Sequence, residues 1–126
     1  MAVLIKVPPQ ETAEVPLLIE APKSKAGIAA VGDQAFVWFS EKQGGRGLVG
    51  RGQIESVVQQ GSIVRFQLGE LTLASRWLGN AELGPLRNAA SVAPDSSLSK
   101  KIYRFAHNRA VALSVEEAAW PDEFIG

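Results

Sequence analysis

The residues of this chain best suited to binding chemistry are two tryptophans that lie near basic side chains. Trp38 lies within an apolar run at residues 35–39, and Trp77 directly follows Arg76. Aromatic rings stack on unpaired nucleic-acid bases, and neighbouring Arg or Lys side chains contact phosphates. A place in the hydrophobic core is the more common explanation for a single Trp, so both interpretations are kept for each ring.

Catalytic chemistry has few candidates in this sequence. His107 is the only histidine, and the chain has no cysteine, so a metal site would lack a second imidazole and any thiolate. No G-x-S-x-G nucleophile pattern is present. The carboxylate pairs at 116–117 and 122–123 fall in or beside one predicted helix, where capping and solvation explain them. We therefore expect no catalytic residue, no metal and no cofactor, and a binding module rather than an enzyme.

A glycine-rich stretch gives the strongest local pattern. Residues 45–50 formally match G-x-G-x-x-G, but a dinucleotide fingerprint must open a helix, and Leu48 onward keeps the period of a strand. Gly50 and Gly52 are predicted to share a strand face with Leu48 and Ile54. Two glycines on one face indicate a bend, a bulge or the close approach of another backbone.

Composition limits the class of protein. The chain has 126 residues, 46% of them hydrophobic, and its 13 basic and 13 acidic residues cancel. This length predicts one domain over residues 1–126, and a neutral chain argues against strong non-specific binding to a polyanion. No apolar run is long enough to span a membrane, and the N-terminus does not resemble a secretory signal. We expect a cytoplasmic protein with local basic patches at residues 42–51 and 100–109.

The periodicity of the sequence predicts strands first and helices last. Strands are expected over residues 2–7, after Asp33, over about 48–58 and from Ile63, with a short extended piece at 15–19. The apolar parity slips at Gly69, which predicts a β-bulge or a break. A helical stripe starts at Leu98, and a second helix starts at Ser114, where Glu117 completes a capping box. This order favours an α+β fold with a mostly antiparallel sheet and two C-terminal helices.

Three segments resemble the PUA-like superfamily, and the EVE-type and ASCH-type domains in particular. They are Gly32-Asp33 with Phe36-Val37-Trp38, the glycine-containing strand 47–54, and the late helical segment 103–118. The resemblance covers roughly residues 26–58 and, more weakly, 98–120. It implies a small β-barrel that binds RNA or DNA, in several relatives by holding a modified or flipped base in an aromatic pocket.

The same resemblance places candidate residues around such a pocket. Trp38 and Ser40 match the strand that borders it, and Arg46 and Arg51 match the adjacent loop and strand. Together with the second Trp and the basic helix face, the predicted ligand-binding residues are Trp38, Ser40, Arg46, Arg51, Trp77, Lys100, Lys101 and Arg104. The base would stack on a Trp while the basic side chains contact phosphates.

Two other functions stay open at this point. Some ASCH-type relatives are enzymes, so a small hydrolase of a nucleoside or amide would use a Lys, Tyr103, His107 or a carboxylate as acid or base. An interaction or dimerisation domain would instead expose an apolar patch at residues 17–19. The oligomeric state and the choice between RNA and DNA are not encoded in any pattern of this sequence.

Overall fold

The computed structural model describes residues 2–7, 17–22, 30–41, 47–69, 71–75, 78–79, 98–99, 101–102 and 109–125. Residues 98–99 and 101–102 are helical. The remaining elements, in chain order, are β1 (Ala2–Val7), β2 (Leu17–Pro22), β3 (Gln34–Phe39), β4 (Gly47–Gln60), β5 (Ile63–Leu68), β6 (Thr72–Leu73), β7 (Arg109–Leu113) and α1 (Val115–Asp122).

Six strands form one continuous sheet in the order β2-β5-β4-β3-β1-β7, and the short β6 also pairs with β4. β1 and β3 run parallel, whereas the other ladders are antiparallel. The predicted α+β class with a mostly antiparallel sheet is therefore confirmed. β2 and β7, at the two ends of this order, approach to within 8 Å between Cα atoms, but they form no ladder in the described part of the chain. The sheet is open.

β4 is 14 residues long and connects the two halves of the sheet. Its first half pairs with β3, and its second half pairs with β5. The β3–β4 register shifts between Val37 and Trp38, and a β-bulge of this kind increases the local twist of a strand. An added Cβ at Gly50 would lie 2.6 Å from the carbonyl oxygen of Thr72 in β6, so only glycine allows β6 to come this close to β4. The predicted bulge and close approach at the glycines are both confirmed.

The bulge also corrects one prediction. Leu48 and Ile54 pack in different hydrophobic clusters rather than on one face. Strict alternation fails because the β-bulge inserts one residue between them. Every later side chain of β4 therefore lies on the face opposite to the one that alternation predicts. Gly69, in contrast, marks a break rather than a bulge, since β5 ends at Leu68 and β6 starts at Thr72.

β3 separates two hydrophobic clusters and is buried on both faces, as its apolar composition predicts. Val37 packs in a first cluster with residues of β1, β4 and β5. Phe36 and Trp38 pack in a second cluster with Leu98, Ile102 and residues that pack from α1. Trp120 of α1 lies against this second cluster.

α1 begins where the sequence predicts it. The hydroxyl of Ser114 accepts a hydrogen bond from the backbone N–H of Glu117 at 3.1 Å, and the carboxylate of Glu117 accepts one from the Ser114 N–H at 2.9 Å. This is the predicted capping box. The helix ends one residue after Pro121. No helix among the described residues is long and apolar enough to cross a membrane.

The sequence did not predict β7 or the full extent of β2. β7 lies between the helical residues 98–99 and 101–102 and α1, so the order of strands first and helices last is wrong. β7 pairs with β1 along Ala2–Lys6. Residues 17–19, the predicted apolar patch, belong to β2 and pair with β5, and their side chains lie outside the described part of the chain.

Candidate ligand site

A cavity of about 590 Å³ lies between α1 and one end of the sheet. Three neighbouring strands meet there, because Ala2 of β1 pairs with Gln34 of β3 and with Leu113 of β7. Phe36 lies two residues further along β3 and also lines the cavity. Pockets of 300 to 1,000 Å³ commonly hold small organic ligands, so the volume suits a nucleobase or a molecule of similar size.

Small side chains create this space. Ala2 occupies the middle strand of the three, and Ala118 and Ala119 face the cavity from α1. Alanine fills much less volume than the Leu or Ile that usually occupy such positions between a helix and a sheet. The cavity therefore follows from the sequence Glu117-Ala118-Ala119 opposite a short alanine side chain.

The wall of the cavity is apolar at the bottom and mixed at the rim. Phe36 is 1% exposed and Leu113 is 7% exposed, so both lie deep. Gln34 and Ser114 are exposed at the rim, and Val115 beside them is 85% exposed. An apolar interior with a few polar groups at its edge is the usual form of a ligand pocket.

Asp122 is the only charged residue among the described residues that line the cavity. Its Oδ1 accepts a hydrogen bond from Nη1 of Arg51, and the two side chains are 50% and 30% exposed respectively. Arg51 is the cross-strand partner of Phe36, so the ion pair lies beside the aromatic residue of the cavity. The predicted ligand-binding residue Arg51 is not among the described lining residues, but it forms an ion pair with one of them, Asp122.

Lys101 connects α1 to the rest of the fold. Its Nζ donates to the carbonyl oxygen of Ala112 at 2.8 Å and to Oε1 of Glu117 at 2.7 Å. Glu117 is only 5% exposed, so the pair is well shielded from water. Lys101 was predicted to contact a ligand. In this structure it holds the N-terminus of α1 against β7, and a contact with a ligand stays a prediction.

Trp38 lies further along β3 than Phe36, and Ser40 directly follows the strand. Both residues are 0% exposed. Phe36 and Trp38 pack in the same hydrophobic cluster, so they share one face of the strand. The Oγ of Ser40 has no hydrogen-bond partner among the described residues. Because Trp38 is fully covered, a base could stack on it only after neighbouring side chains moved, and its role in binding stays a prediction.

The other predicted site residues, Arg46, Trp77, Lys100 and Arg104, lie outside the described residues, as do Tyr103 and His107. Sequence reasoning missed Gln34, Ala118 and Asp122. The signal for Phe36 was present, since it shares a strand face with Trp38. No signal in the sequence pairs Arg51 with Asp122, which lies 71 positions away.

Within the described part of the chain, no three His, Asp or Glu residues are grouped closely enough to hold a metal ion. Comparison with known proteins found no matching family model, no matching curated protein and no matching solved structure.

Proposed function

We propose that this domain is a nucleic-acid-binding module that takes an unpaired or modified base of RNA or DNA into the cavity beneath α1. The observation that carries the proposal is the cavity itself, with an aromatic residue at its bottom and hydrogen-bonding groups at its rim. Recognition of a base removed from its stack requires this combination of apolar contact and edge hydrogen bonds.

Two polar groups at the rim fit the edge of a base. The amide of Gln34 both donates and accepts, as amide side chains do when they contact adenine. The Asp122 carboxylate accepts only, and Arg51 fixes one of its oxygens. Phosphates would be contacted by the basic residues of the sequence prediction, Arg46, Lys100 and Arg104, together with the remaining donors of Arg51.

The proposal includes the barrel that the PUA-like resemblance implies. β4 already serves both halves of the sheet, and the end strands β2 and β7 come within 8 Å of each other. Closure between β2 and β7 would complete a small barrel around the first hydrophobic cluster. A cytoplasmic location stays a prediction of the sequence.

Filling the cavity tests this function. Ala118→Leu adds three carbon atoms to a helix residue that lines it, whereas Ala118→Ser keeps the volume nearly unchanged. Fluorescence anisotropy would measure binding of short RNA and DNA, with and without modified bases, at two salt concentrations. We expect Ala118→Leu to weaken base-dependent binding by about tenfold or more, since it removes the space that the base occupies. Equal binding by Ala118→Leu and wild type would refute the assignment.

A free nucleoside is the second candidate ligand, with hydrolysis of a nucleoside or amide as the corresponding enzyme function. The observation that favours it is the composition of α1, which contains Glu116, Glu117 and Asp122 but no Lys or Arg. The exposed carboxylate of Glu116 would repel the phosphates of a nucleic-acid backbone, whereas it would not repel a neutral nucleoside. Nucleosides that bind where oligonucleotides do not would select this candidate, and turnover that Tyr103→Phe or His107→Ala abolishes would make it an enzyme.

A further inference from the structure

We propose that the cavity selects bases that carry an exocyclic amino group, as adenine and cytosine do, and that Asp122 is the residue that recognises it. This inference rests on the proposed function, because it assumes that a base occupies the cavity. It adds the chemical class of the base and the residue that reads it.

The charge of the cavity wall favours a hydrogen-bond donor on the ligand. Asp122 is the only charged residue along the described wall of the cavity, whose other members are mostly Ala, Gly, Leu, Phe and Val. An ionised carboxylate accepts hydrogen bonds and cannot donate them. It therefore distinguishes a donor on the ligand from an acceptor, which an amide such as Gln34 cannot do, since an amide can turn over and present either group.

The ion pair between Arg51 and Asp122 orients the acceptor. Nη1 of Arg51 engages Oδ1 of Asp122, and no described residue donates to Oδ2. The guanidinium keeps the carboxylate in one orientation and reduces its rotamer freedom. Arg51 is thus a positioning residue for the acceptor, placed by β4 directly opposite Phe36.

The bases differ in whether they present a donor or an acceptor at the amino position. The amino groups at N4 of cytosine and N6 of adenine donate, whereas the oxygen that replaces them in uracil or hypoxanthine accepts. A carbonyl oxygen against Asp122 would bring two acceptors together and leave Oδ2 without a donor. Half of the Asp122 side chain is exposed, so water moderates this penalty, and we expect about tenfold discrimination rather than the larger factors of a fully buried site.

Matched ligand pairs test the inference. Cytidine against uridine and adenosine against inosine differ at the amino position, both as free nucleosides and within short unpaired oligonucleotides. NMR titrations of the full chain would measure each affinity for wild type, for Asp122→Asn and for Glu116→Gln, which removes a carboxylate of the same helix that does not line the cavity. We expect wild type and Glu116→Gln to prefer the amino member about tenfold, and Asp122→Asn to prefer neither by more than about twofold.

The outcomes separate this inference from the proposed function. Equal affinity of wild type for both members of each pair would overturn the inference and leave the cavity as a base site. A preference that Asp122→Asn keeps would overturn the role of Asp122. Binding of no nucleoside and no oligonucleotide would overturn both. Selective binding of nucleosides alone would identify the ligand as a free nucleoside. Selective binding of oligonucleotides as well would identify it as a base within a nucleic acid.

Discussion

Replacement of Glu117 by alanine should destabilise this domain strongly. Its carboxylate is 5% exposed, and one oxygen accepts from both the Ser114 N–H and Lys101 Nζ. The Glu117→Ala variant leaves an N-cap donor and a partly buried ammonium without this acceptor. It therefore affects the element that forms one wall of the proposed site.

The magnitude follows from two separate losses. Loss of the capping interaction costs about 1 kcal/mol, and loss of a charge-assisted hydrogen bond costs about 1.5–3 kcal/mol. The Lys101 side chain is 27% exposed, so water and the Ala112 carbonyl recover part of the second loss. We expect the free energy of unfolding to fall by about 2–3 kcal/mol, within the range for a broken hydrogen-bond network.

Urea unfolding followed by tryptophan fluorescence measures this change. With an m value of about 1–3 kcal/mol/M for a small domain, the midpoint should fall by about 0.7–3 M. Ser114→Ala isolates the cap and should cost about 1 kcal/mol. Glu116→Ala, on the exposed side of the same turn, is the control and should cost less than about 0.5 kcal/mol. A Glu117→Ala midpoint equal to that of Glu116→Ala would refute the reasoning.

Three further changes test the packing around the site. Gly50→Ala would place a Cβ 2.6 Å from the Thr72 carbonyl oxygen and should cost about 1–3 kcal/mol by thermal unfolding. The control Gly61→Asn, in open space at φ +61°, should be nearly neutral. Similar melting temperatures for both variants would contradict the close approach of β6 to Gly50. Ser40→Ala removes a hydroxyl with no described partner, so we expect a change within about 0.5 kcal/mol, and a loss above about 1 kcal/mol would indicate a partner. Trp38→Ala should cost about 3–5 kcal/mol, as expected for a ring that is 0% exposed; a small loss would mean that this ring is available for binding.

The sequence predicted the local elements of this fold well where one physical signal dominated. β1 and β3 were evident from apolar runs, β5 from alternation, and α1 from the capping box at Ser114. Each of these signals lies within a few residues of the element that it specifies, so no tertiary information was needed.

The missed elements depend on partners that are distant in the chain. β7, with the sequence Arg-Ala-Val-Ala-Leu, has a weak strand pattern and becomes a strand by pairing with β1. Leu48 and Ile54 were placed on one face because alternation cannot reveal a bulge, which follows from the pairing of β4 with β3. Pairing between strands overrides local propensity in both cases.

The candidate site was predictable only in part. Arg51 was recognised from the sequence. The cavity itself arises from small residues, Ala2 and Ala118, that are far apart in the chain and carry no chemical signal. An empty space between two elements follows from the tertiary packing alone, so residue types could not reveal it.

Methyl NMR of the alanine residues tests the central claim most directly. The methyl groups of Ala2, Ala118 and Ala119 line the cavity, whereas Ala35 packs in the other hydrophobic cluster and serves as the reference. Titration with a short oligonucleotide that carries an unpaired base, and with the matching nucleoside, should shift the three cavity signals and leave Ala35 nearly unchanged. Binding that shifts signals elsewhere and leaves these three unmoved would contradict the assignment of the cavity as the base site.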